Sequence, residues 1–137
     1  MGYVKISREP VEPGSVLREA IAVSRKIGGI VMFVGVVRSI SRGKEVAKLS
    51  YDVYEEMALK VLEDVRREAM ERFGVIDAFI IHRVGEVKVG EVSLVVIAAD
   101  EHRANAFKAA AWIVDEVKRR VPIWKKEYYT DGTAKWI

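Results

Sequence analysis

The spacing of hydrophobic positions changes several times along this chain, and each change marks an element. YVKISREPVEP reads as an opening strand that ends at Pro13-Gly14. SVLREAIAVSRK then places Val16, Leu17, Ala20, Ile21 and Val23 at helical spacing, with Ser15 as the expected N-cap and Gly28-Gly29 as the stop. GIVMFVGVVRS is a nearly continuous apolar strand, ISRGKE a polar turn around Gly43, and VAKLSYDVY an alternating, half-buried strand. A long helix is predicted from Glu55 to Phe73, with Met57, Val61, Leu62, Val65 and Ala69 on one side and Gly74 closing it. VIDAFIIHRVG and EVSLVVIAAD are two further strands, joined by a connection that contains Gly85 and Gly90. A third helix runs from His102 to Arg120 and stops before Pro122. IWKKEYY and AKWI form short strands around an Asp131-Gly132 turn. The order βαββαββαββ predicts an α+β fold with a mainly antiparallel sheet and three helices, in one domain spanning residues 1–137.

Composition narrows the chemistry. No apolar run approaches the ~18 residues of a membrane span, and the N-terminal stretch around Lys5 and Arg8 has no apolar signal core. A cytoplasmic protein is expected. The net charge of +3 suits an anionic ligand and is too small to name nucleic acid. Cysteine is absent, which excludes disulfides, a thiolate nucleophile and a persulfide carried on this chain. His82 and His102 alone do not make a closed zinc site, so no metal or cofactor is expected. The lack of Gln, a single Asn and abundant Lys, Arg and Glu suggest a thermophilic source.

The stretch VDEVKRRVPIWKKE carries the candidate chemistry. At 100° per residue, the third helix has an apolar arc of Ala106, Ala110, Ile113, Val117, Val114, Phe107 and Ala111, with Lys118 falling between Val114 and Ala111. Lys108, Asp115, Glu116 and Arg119 lie opposite. An ammonium beside an apolar face either snorkels to water or has a partner in a pocket. Beyond the turn at Pro122, strand alternation gives Lys125 the face of Ile123, and Lys126 that of Trp124 and Tyr128. The spacing of Lys118 and Lys125 permits the two to converge on one anion, and equally permits Lys118 to snorkel to water at the helix end. Arg38 ends an apolar strand, Arg42 and Lys44 read as a mobile basic loop, and His82-Arg83 reads as structural. His102-Arg103 opens a helix whose N-terminus favours anions or a plain cap.

Five segments, FVGVVR, LSYDVYEEMA, IHRVGEVKVGE, EHRANAF and VKRRVPIWKKE, occur in order. Together they resemble the large, catalytic subunit of molybdopterin synthase from about residue 30 to Trp136. The resemblance implies an α/β hammerhead fold, a homodimer, and a heterotetramer with a small ubiquitin-like sulfur carrier ending in a Gly-Gly thiocarboxylate. It also implies sulfur transfer to cyclic pyranopterin monophosphate (precursor Z), forming the dithiolene of molybdopterin in molybdenum cofactor biosynthesis. By motif position, Lys118 and Lys125 match the family's catalytic lysines. Arg38, His102 and Arg103 match its substrate-site basic residues, and Phe33 lies in the strand that lines the pocket. Two departures are Asp52 in place of Glu, and Asp100-Glu101 in place of small polar residues. Two other classes share the α+β order: a non-catalytic adaptor for a ubiquitin-like carrier, and a ferredoxin-like RNA-binding module. VMFVGVVRS lacks the aromatic strand motif that the RNA-binding module needs.

Overall fold

In the computed structural model, which describes residues 1–137, the strands form two β-sheets. The elements are β1 (Val4–Ser7), α1 (Pro13–Ile21), β2 (Gly29–Val36), β3 (Ile40–Ser41), β4 (Lys44–Val53) and α2 (Glu55–Phe73). They continue with β5 (Asp77–Arg83), β6 (Gly85–Lys88), β7 (Val92–Asp100), α3 (Arg103–Arg120), β8 (Ile123–Tyr129) and β9 (Ala134–Trp136). The first sheet has the order β1-β5-β7-β2. In the second, β3, β6 and β8 all pair with β4, and β9 follows β8. Only β1–β5 is parallel, so the predicted α+β, three-helix, mainly antiparallel architecture is what forms.

The continuous apolar runs of β5 and β7 follow from burial on both faces. Ala78, Ile80, Leu94 and Val96 face Leu62, Val65, Ile113 and Val117 of α2 and α3. The alternate residues Phe79, Ile81, Val95 and Ile97 face Val16 and Ala20 of α1. Helix α2 ends as expected on Gly74, whose φ of 65° lets its N–H reach the Met70 carbonyl at 2.9 Å. Beneath α2, Arg66 pairs with Asp77 at 2.7 Å and donates to the Ala78 carbonyl at 2.8 Å, all in buried surroundings.

Several boundaries differ from expectation. Helix α1 starts at Pro13, and the Glu12 carboxylate, not Ser15, caps it by accepting from the Gly14 N–H at 2.9 Å. Proline suits the first helical turn because its missing N–H has no partner there in any case. The helix ends at Ile21, well before Gly28. The turn expected around Gly43 is a tight hairpin between β3 and β4, with Arg42 at φ 54° and Gly43 at φ 77°. Lys44 is not loose: it lies 3.2 Å from the Asp131 carboxylate. The connection holding Gly85 and Gly90 contains β6, which pairs with β4 through Lys48–Tyr51. On α3 the buried line is Ala106, Ala109, Ala110, Ile113 and Val117, while Phe107 stays 60% exposed.

Candidate active site

Strand β2 is the last strand of the first sheet, so one of its backbone edges has no strand partner. Residues Phe33 to Arg38 run along a pocket of about 630 Å³ lying between that edge, the C-terminal end of α3 and the inner face of β4 and β8. Gly35 belongs there: a Cβ at this position would stand 3.2 Å from Ser93 Oγ and 3.3 Å from the Phe33 ring. The ladder between β2 and β7 also shifts register after Gly35, bending the chain toward Arg38, two residues past the strand's end.

Helix α3 brings Lys118 to the pocket and stops three residues later at its C-cap, Val121, before Pro122. The Tyr54 N–H holds the Pro122 carbonyl at 3.2 Å, and β8 then leads Lys125 in from the second sheet. Strand alternation gives Ile123, Lys125 and Glu127 the pocket face, as the sequence predicts for the first two. Lys125 is half-buried and sits across the ladder from Tyr51. Burial lowers its pKa, the Glu127 carboxylate opposes this, and the charges of Lys118, Arg38 and Arg42 lower it further.

The floor is polar and buried. Glu127 accepts from Ser41 Oγ at 3.0 Å and from the Tyr129 hydroxyl at 2.8 Å. Burial alone favours the acid, but those two bonds and the nearby Lys125 and Arg42 bring its pKa below the ordinary value. The carboxylate is thus ionised at neutral pH. His82 lies against Tyr51, ring centroids 5.2 Å apart and nearly perpendicular. The pocket therefore has a cationic rim of Arg38, Lys118 and Lys125 above a floor of hydrogen-bond acceptors. Such a rim draws an anion, and a half-buried amine beside it is suited to proton transfer.

Four of the six residues marked in the sequence, Phe33, Arg38, Lys118 and Lys125, meet in this pocket. His102 and Arg103 do not: they are exposed at the far end of α3. Tyr51, His82, Ser93 and Glu127 were not anticipated as site residues. Glu127 was accessible through its two-residue spacing from Lys125; the others come from separate strands and carry no shared spacing.

The model of the MoaE protein family matches residues 6–120. The molybdopterin synthase catalytic subunit of Pyrococcus abyssi is 48% identical over 100% of this chain and 93% of its own length. The chain belongs to the MoaE family. Another family relative, the molybdopterin synthase catalytic subunit of Bacillus subtilis, is 33% identical over 100% of this chain and 85% of its own. Among solved structures, molybdopterin synthase from Staphylococcus aureus superimposes with a TM-score of 0.88 at 30% identity, covering 96% of this chain and 94% of that one. A complex of subunits 1 and 2 of molybdopterin-converting factor from Helicobacter pylori contains a MoaE-like chain with TM-score 0.78 and 25% identity, over 98% of this chain and 88% of that one.

Proposed function

We propose that this MoaE-family chain takes sulfur from the thiocarboxylated Gly-Gly terminus of a small ubiquitin-like carrier and delivers it to cyclic pyranopterin monophosphate in the cytoplasm, forming the molybdopterin dithiolene. The observation that carries this reading is the meeting of Lys118, Lys125 and Arg38 beside the free edge of β2. A free strand edge suits an extended tail, and the cations suit its anionic end. The Helicobacter pylori relative, solved as a two-subunit complex, supports a small-subunit partner. With no cysteine in the chain, the transferable sulfur has to arrive on that partner.

The chemistry follows from the rim and the half-buried amine. The thiocarboxylate sulfur attacks a side-chain carbon of the pterin as that carbon's bond to a cyclic-phosphate oxygen breaks; the phosphate oxygen keeps the electron pair, and an acyl thioester remains. Water then adds to the acyl carbon and passes a proton to the neutral amine of Lys125. The acyl–sulfur bond breaks, the proton moves on to the departing sulfur, and the carrier's new carboxylic acid gives its remaining proton to solvent and leaves as a carboxylate. Lys118, exposed at the rim, holds the anions in place.

Arg103 and Lys118 are separated by about 22 Å of helix rise, too far to grip one small pterin phosphate within a single chain. The reading therefore includes a two-fold dimer, and a heterotetramer with two carriers, in which His102 and Arg103 of one protomer complete its partner's pocket. An exposed flank of α3 carrying Phe107 and Ala111 runs between these two ends and suits such a contact. Incubation with thiocarboxylated carrier and precursor Z tests the function: dithiolene formation is expected, and carrier binding without any product would leave only an adaptor.

A further inference from the structure

The pocket floor holds an acceptor that the chemistry above does not use. His82, near the end of β5, is 9% exposed and lines the cavity. Its Nδ1 lies 2.7 Å from the Arg83 carbonyl oxygen. A carbonyl only accepts, so Nδ1 carries the ring proton and Nε2 presents a lone pair. Burial lowers the imidazole's pKa while the bond to the Arg83 carbonyl works against it, and the ring is neutral at neutral pH. Nε2 has no hydrogen-bond partner in the chain. The buried polar atoms sealed away without a partner are both on Arg83, so Nε2 of His82 opens onto the cavity.

An occupant that reaches Nε2 must bring a donor. It must also be uncharged at that point: the rim repels a cation, and ionised Glu127 turns an anion away from the floor. The adjoining wall is β2 at Gly35, which lies across the ladder from Leu94 and, through it, from His82. With no side chain at Gly35 a peptide backbone can come close, and an extended one presents uncharged amide N–H groups at regular intervals. We propose that His82 Nε2 accepts a hydrogen bond from a backbone amide of the carrier's C-terminal glycines, and so fixes the register in which the tail's end reaches Lys118 and Lys125. His82 is then a positioning residue, and its role rests on the pocket being the carrier's entry site.

The test uses carriers in which the last or the penultimate amide is replaced by an ester, which removes one N–H without adding bulk. Binding to the full chain is measured by calorimetry for the wild type, His82→Asn and His82→Gln. Asparagine places an N–H where Nδ1 stands and keeps the Arg83 carbonyl satisfied; glutamine places an acceptor oxygen where Nε2 stands. One of the two esters is expected to bind the wild type about five- to tenfold more weakly than the native tail, the worth of one neutral hydrogen bond. His82→Gln keeps that penalty. His82→Asn loses it, binding native and ester tails equally and weakly. A histidine that only supports the fold predicts the reverse, with Asn behaving as wild type and Gln impaired. Equal binding of native and ester tails by the wild type overturns the proposal. So does a His82→Asn variant that binds the tail normally and loses affinity for precursor Z, since its acceptor would then serve the pterin. A native carrier that fails to bind the wild type at all overturns the entry-site reading itself.

Discussion

Lys125 and Glu127 stand side by side on the pocket face of β8, and each pulls the other toward its charged form. Burial is the largest influence on both and pulls toward the neutral forms; for the lysine it prevails, and the amine's pKa is lowered. If the neutral amine is the working base, kcat rises with pH through that lowered pKa. Glu127→Gln removes the group that holds the pKa up, so the rise moves to lower pH. A pH–rate profile whose rise stays in place, or moves to higher pH, contradicts this coupling.

Lys118→Ala and Lys125→Ala are each expected to lower sulfur transfer about a hundredfold or more, the range of a lost acid–base or charge-stabilising group. Neither side chain is fully buried, so thermal unfolding should stay close to wild type. Lys108, exposed outside the pocket on the same helix, serves as the control, and Lys108→Ala should be near neutral. Equal loss in all three variants would mean that position on the helix does not matter.

Mixing an inactive Arg103→Ala chain with an inactive Lys118→Ala chain tests the shared site. One of the two pockets in a mixed dimer would have every group intact, so partial activity is expected. Mixed dimers that form and remain inactive would place both residues' contributions within one chain.

Sulfide or a simple persulfide, supplied without the carrier, should yield little product. The chain has no thiol on which to hold such sulfur. Efficient turnover from either donor would remove the carrier from the scheme.

Asp77→Ala should destabilise the fold by about 3–5 kcal/mol in denaturant titration, because it removes the buried carboxylate that pairs with the Arg66 guanidinium. Asp77→Asn, which keeps an acceptor for Arg66, should cost less. A change near zero in both variants would mean that water reaches the pair.

Period carried the sequence reading where elements were long. Helices α2 and α3 repeat their apolar spacing over several turns, and β5 and β7 are apolar throughout because both of their faces are covered. Strands of two and four residues, β3 and β6, are too short to show alternation and exist through their pairing with β4. Ser15 looked like a cap because local sequence does not reveal that Pro13 already fits the first turn. The cationic rim was legible because Lys118 interrupts an apolar arc and Lys125 follows a forced turn. The floor was not, since Tyr51, His82 and Ser93 come from three strands that only the packed sheets bring together.

Lys118 rides on a helix packed against the first sheet, whereas Lys125 belongs to the second. The joint between them is Val121–Pro122, and Pro122 is tethered by the amide of Tyr54, the residue that caps α2. Helix α2 sends no side chain into the pocket, yet the Val53–Tyr54 peptide that leads into it acts as a caliper on the gap between the two amines. Natural variation around Tyr54 would therefore retune the spacing of the reacting groups while leaving every one of them in place.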